Sequence, residues 1–232
     1  MPLRPRPLSL GLIDSGSGPD AAATGWLARC HAPGGCEDRL GHGRAILATL
    51  GHYLPLQRLE IALYKLFEER LTCDADSLAT ALEWQAERPP AWLLCSLGLP
   101  RADARLRAAV ERLQAAGTRI VAASPRFGAP AYPAAWPGVV AVSGAAGLPP
   151  GPPRQGPDGR WYACVWAAEE TRPEGTAWQP WMPGPPPLGT PPPLGGASFA
   201  AAHALGYWLA ASIGEPVVAV STAGAGSAGQ SG

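Results

Sequence analysis

Apolar residues along this chain fall into two alternating rhythms. Short apolar runs of strand length occur at 8–13, 91–95, 119–124 and 139–142, and 58–65 is a further strand by composition. Between them, apolar residues return every three or four positions: Ala45, Ile46, Leu47 and Leu50, then Leu78, Ala81 and Leu82, then Leu106, Ala109, Val110 and Leu113. Runs without polar alternation imply strands buried on both faces, and the 3.6-residue rhythm implies helices with one face inward. Asp76 and Ser77 predict the start of the second helix, and Gly117 the end of a third over 101–116. Strand and helix alternate throughout, which predicts an α/β fold: a three-layer, doubly wound, mainly parallel sheet with helices on both faces.

The pattern breaks down after Gly147. From 147 to 193 proline, glycine and tryptophan dominate, with one further strand predicted within 160–166. Trp178 and Trp181 either pack this region down or line a peptide groove. An Ala-rich helix follows from Ser198. Beyond it lie a terminal apolar run at 217–220 and a Gly/Ala/Ser tail with nothing to bury. The expected organisation is one domain over 1–213, with the Pro/Gly/Trp-rich region inside it, and a terminal strand and disordered tail over 214–232.

Composition narrows the function. Eighteen basic and eighteen acidic residues cancel, so no nucleic acid is expected as a partner. No stretch is long enough to span a membrane, and the proline-bound run at the N-terminus does not make a signal peptide, so the expected compartment is the cytoplasm. Five cysteines at irregular spacings do not make a disulfide framework. Cys95 and Cys164 read as small buried hydrophobes. Cys30, His31 and Cys36 offer metal-ligating atoms, but a fourth ligand and paired short spacings are missing, so the segment reads as a surface loop and no metal is expected.

Three polar positions stand at element ends. Asp14 closes the first strand in Gly-Leu-Ile-Asp-Ser-Gly-Ser-Gly, at the carboxyl edge where open α/β sheets place their chemistry. Taken singly it is also an ordinary turn aspartate. His42 opens a helix in Asp-Arg-Leu-Gly-His-Gly, where flanking glycines leave the imidazole unobstructed, as a general base requires. Ser198 follows two glycines in Gly-Gly-Ala-Ser-Phe-Ala-Ala-Ala-His-Ala-Leu-Gly, at a first helical turn whose free amides favour a developing anion. His31 and His52 have no comparable context.

These three segments resemble the aspartate, histidine and serine motifs of the subtilisin-like serine peptidases, and their chain order, Asp, His, Ser, is that of subtilisin. The resemblance extends from about Leu8 to Gly206. It implies that Ser198 attacks a peptide carbonyl, that His42 relays the proton and that Asp14 orients the imidazole. Ser96, Leu97 and Gly98 are similar to the family's Ser-Leu-Gly edge, which pairs with extended substrate. The chain departs from the family in two places. Arg44 stands where a threonine is usual. The oxyanion-hole asparagine is absent, and the segment reads Ala123-Ser124-Pro125-Arg126-Phe127-Gly128. Arg126 either donates to the oxyanion beside the Ser198 amide or is a surface loop residue in a crippled site.

The resemblance implies no cofactor and a peptide or precursor protein as partner. Thirteen residues precede Asp14, so a pro-segment is not expected. A protease active in the cytoplasm without one is restrained by specificity or by low intrinsic activity. That suits a maturation enzyme similar to the small subtilisin-like protease that processes the small subunit of quinohaemoprotein amine dehydrogenase. The rival expectation is a non-catalytic pseudoprotease that holds an extended peptide in the same groove. A third reading, a Pro/Trp-rich interaction protein on an inert scaffold, makes the three motifs coincidental.

Overall fold

The computed structural model describes residues 7–168 and 195–214. In chain order its main elements are β1 (Leu8–Asp14), β2 (Leu27–His31), α1 (His42–Gly51), β3 (Leu59–Lys65), α2 (Ala75–Glu87), β4 (Trp92–Cys95), α3 (Ala104–Ala115), β5 (Arg119–Ala123), β6 (Val140–Ala145), β7 (Arg154–Gln155), β8 (Trp161–Cys164) and α4 (Ala197–Ser212). The strands form one eight-stranded sheet in the order β2-β3-β1-β4-β5-β6-β8-β7. All neighbouring pairs are parallel except β7 with β8.

The pleat explains the unbroken apolar runs. Along β1, Leu10 and Leu12 enter one core while Ile13 enters the other. Along β4 and β5, Leu94 and Val121 join the first, and Leu93, Cys95, Ile120 and Ala122 the second. Helices α1 and α4 cover the first face, and α2 and α3 the second. Strands β1, β4 and β5 are therefore buried on both sides, as expected for parallel strands between helical layers. Helix α4 lies deepest. Every residue from Phe199 to Gly206 is buried, and its alanines let it settle closely on the sheet.

Four local expectations change. Cys30 and His31 belong to β2, an edge strand half-exposed on both faces, which therefore lacks the apolar run of a central strand. Cys30 and Cys36 are joined in a disulfide, so their sulfurs hold each other across the loop that leaves β2. The cap of α2 is Asp74, not Asp76: its side chain accepts the Ser77 amide at 2.7 Å. The short antiparallel β7 is an addition at the sheet's far edge. Gly117 does end the third helix region, with φ of +88°. No helix among the described residues is long and apolar enough to cross a membrane. Trp178, Trp181 and the run at 217–220 lie outside the described residues.

Candidate active site

The carboxyl ends of β1 and β4, which are adjacent in the sheet, bring Asp14 and Ser96 side by side. Asp14 is fully buried, and its carboxylate is saturated with donors. Oδ1 accepts the Ser15 amide at 2.8 Å, the Ser15 hydroxyl at 3.2 Å and His42 Nδ1 at 2.7 Å. Oδ2 accepts the Ser96 hydroxyl. A carboxylate only accepts, so the shared proton sits on His42 Nδ1 and the lone pair is left on Nε2. Burial disfavours the imidazolium. The Asp14 hydrogen bond, the Asp14 charge and the charge of Asp38 together outweigh it, and the His42 pKa is raised above 6.5.

His42 is the first residue of α1, and the cap before it is Gly41, with φ of +80° and no side chain to accept the helix's free amides. Asp38 takes over that role from outside the helix. Its Oδ1 accepts the amides of Leu40 and Gly41, and its Oδ2 that of Arg44, each at 2.9 Å. The Ser15 hydroxyl accepts the Gly43 amide at 2.9 Å. Gly43 has no alternative: a Cβ there would stand 2.2 Å from the Gly16 carbonyl oxygen. The loop after β1 and the start of α1 are thus in backbone contact, and that contact delivers His42 to Asp14.

Ser198 sits in the first turn of α4, half-buried. Its hydroxyl donates to the Ser96 carbonyl oxygen at 2.6 Å. The next residue, Phe199, meets the His42 ring edge-on, with centroids 5.3 Å apart. Asp14 and His42 are therefore joined directly, and Ser198 is joined to Asp14 through Ser96, whose side chain bonds one and whose carbonyl bonds the other. The two helix starts contrast. The first turn of α1 is capped by Asp38, whereas α4 has no side-chain cap, and the amides of Ala197, Ser198 and Phe199 meet no acceptor among the described residues.

Beyond Ser96 the chain exits β4 through Leu97 and Gly98, whose backbone groups have no hydrogen-bond partner among the described residues, before Leu99 pairs with Tyr132. Arg126 lies exposed on the loop after β5, its guanidinium over the Phe127 ring at 5.3 Å, and among the described residues no hydrogen bond or ion pair joins it to His42 or Ser198. Phe127 is 81% exposed. A cleft of about 600 Å³ at the same rim is lined by His31, Tyr64, Lys65 and Glu68, but by none of Asp14, His42 or Ser198. Among the described residues no cluster of His, Cys, Asp and Glu is arranged to hold a metal ion.

Two residues of the site carry roles that sequence reading did not assign. Asp38 stands in the histidine motif, and the missing side chain at Gly41 is the signal that another acceptor is needed. Ser15 follows Asp14 directly and bridges it to α1.

No protein-family model matches the chain, and no curated protein matches its sequence. Solved structures do. The prenylagaramide maturation protease PagA superposes with a TM-score of 0.58 at 17% identity, over 90% of this chain and 77% of that one. The nisin leader peptidase NisP from Lactococcus lactis superposes with a TM-score of 0.59 at 16% identity, over 87% of this chain and 76% of that one. The eight-stranded, mostly parallel α/β architecture of this chain is the subtilisin-like fold.

Proposed function

We propose that the chain is a serine endopeptidase that removes a leader or otherwise processes a dedicated precursor. The observation that carries this reading is the buried Asp14–His42 pair, 2.7 Å apart, with Ser198 at an uncapped helix start tied to the same Ser96. In the reaction the Ser198 hydroxyl leaves the Ser96 carbonyl and turns to His42 Nε2. His42 takes its proton as Oγ attacks the scissile carbonyl, then delivers that proton to the leaving amine. Asp14 holds the tautomer and stabilises the imidazolium. The Ser198 amide, with the α4 dipole behind it, faces the oxyanion, and Arg126 leaves its stack on Phe127 to supply the second donor. The open backbone groups of Leu97 and Gly98, beyond Ser96, hold the substrate as an added strand. PagA and NisP, a maturation protease and a leader peptidase by name, share the fold and support the processing role.

The second reading, a pseudoprotease that binds an extended peptide without cutting it, is favoured by the resting Ser198–Ser96 bond and by the exposed position of Arg126. A peptide library incubated with the wild type and with Ser198→Ala separates the two. New N-termini of narrow sequence preference, absent with the variant, support the peptidase. Retention of uncut peptides by both proteins supports the binder.

A further inference from the structure

Away from the substrate-facing residues, one buried polar network joins the helices that carry His42 and Ser198. His203, further along α4, is fully buried. Its Nε2 lies 2.7 Å from the Trp166 carbonyl oxygen, and its Nδ1 lies 2.8 Å from the Tyr53 hydroxyl. The Gly151 amide donates to that same hydroxyl oxygen at 3.0 Å. A carbonyl only accepts, so the proton of the neutral ring sits on Nε2, and Nδ1 accepts from the Tyr53 O–H. Burial pushes the His203 pKa down to about 4, the Trp166 bond opposes this and His52 adds to it, so the ring is neutral near pH 7. Every hydrogen bond in the network then has one possible direction.

The network reaches both ends of the candidate site through the backbone. Trp166 bridges Gly195, and the Gly196 amide donates to the Val165 carbonyl at 2.8 Å. Gly196 is the residue that caps α4, so the strip held by His203 is the strip that delivers Ser198. Tyr53 comes just after α1, whose first residue is His42. Its ring lies directly on α4 at Gly206, where a Cβ would come within 2.6 Å of the ring. The hydroxyl and ring of Tyr53 thus set how α1 sits on α4, and His203 sets where α4 begins.

We infer that Tyr53 and His203 are positioning residues that hold the base-bearing and nucleophile-bearing helices in register. The catalytic consequence rests on the serine-peptidase reading, but the structural coupling does not. A displacement of about 1 Å at reacting groups costs on the order of 100-fold in rate. Loss of a single neutral hydrogen bond costs about fivefold to tenfold.

The test uses the full chain and an alkyl fluorophosphonate, whose saturation kinetics separate the rate of serine modification from probe binding. His203→Leu removes both bonds and is expected to slow modification on the order of 100-fold with the probe's binding constant unchanged. His203→Gln, which keeps an N–H for the Trp166 carbonyl, is expected to stay within about fivefold of wild type, and Tyr53→Phe to lose about tenfold. In parallel, hydrogen exchange at the Gly196 amide, which bonds the Val165 carbonyl, is expected to quicken in His203→Leu and Tyr53→Phe while the middle of α4 stays protected. Modification rates within about twofold of wild type in folded His203→Leu and Tyr53→Phe overturn the inference, as does a weakened probe affinity at unchanged rate. Should His203→Leu not fold, Tyr53→Phe decides by the same criteria. Should the wild type not react at all, the peptidase reading has failed, and hydrogen exchange alone judges the coupling: unchanged exchange at the Gly196 amide overturns it.

Discussion

Replacing Asp38 tests whether its carboxylate holds the start of α1 and, through it, His42. The residue is 4% exposed, and its two oxygens accept three backbone amides at 2.9 Å each. At about 1 kcal/mol net per bond, Asp38→Ala loses about 3 kcal/mol. Removal of a negative charge from the positive end of the α1 dipole adds about 0.5 kcal/mol. Asp38→Asn keeps an oxygen for Leu40 and Gly41 but turns an N–H₂ toward the Arg44 amide, so it loses about 1–2 kcal/mol. Urea unfolding in a Ser198→Ala background, where self-cleavage cannot distort the baseline, measures both. With a slope of about 2–3 kcal/mol per molar urea, the midpoint falls by about 1.2–1.8 M for Asp38→Ala and by about half that for Asp38→Asn. An Asp38→Ala midpoint indistinguishable from the parent, or an asparagine variant as damaged as the alanine, refutes the reasoning.

Three other outcomes follow. Reducing the Cys30–Cys36 bond, which spans a sequence separation of 6, opens a short loop in the unfolded chain and costs about 2 kcal/mol; thermal melts with and without a dithiol reductant measure it, and an unchanged melt contradicts it. Because the His42 pKa is raised, the stability contributed by its pair with Asp14 is fully present below about pH 6.5 and is lost as pH rises through the folded value. The base is neutral only above that same value, so the acid limb of activity falls above pH 6.5, and Asp38→Asn moves it to lower pH; a limb that does not move removes Asp38 from the electrostatics of His42. Arg126→Ala loses on the order of 2–4 kcal/mol of transition-state stabilisation with KM little changed if the guanidinium meets the oxyanion, whereas unchanged kcat and KM leave it a surface residue.

The layered sheet was legible because central parallel strands are buried on both faces and so appear as unbroken apolar runs. The edge strand β2 was not, since Leu27, Ala28, Arg29, Cys30 and His31 serve a half-exposed edge that leaves no such run. The disulfide was hidden for the same reason: only the return of the chain past β2 brings Cys36 to Cys30. Asp74 and Asp76 are equivalent as helix caps by type, and only backbone geometry chooses between them. Within the candidate site, Asp14, His42 and Ser198 stood out because each lies in a short contiguous motif. The double role of Ser96 was less visible: its place beyond β4 suggested substrate pairing, whereas its side chain and carbonyl join Asp14 to Ser198. The Tyr53–His203 bond spans 150 positions and leaves no local pattern.

The central claim is that Ser198 is a nucleophile activated by His42 and Asp14. Intact-mass analysis of the folded chain after exposure to an alkyl fluorophosphonate, followed by peptide mapping, tests it most directly. The account predicts one adduct, located on Ser198, formed far more slowly in His42→Ala and Asp14→Asn and absent in Ser198→Ala. A folded wild-type chain that acquires no adduct, or one whose adduct lies on another residue, contradicts the peptidase and leaves the peptide-binding reading in its place.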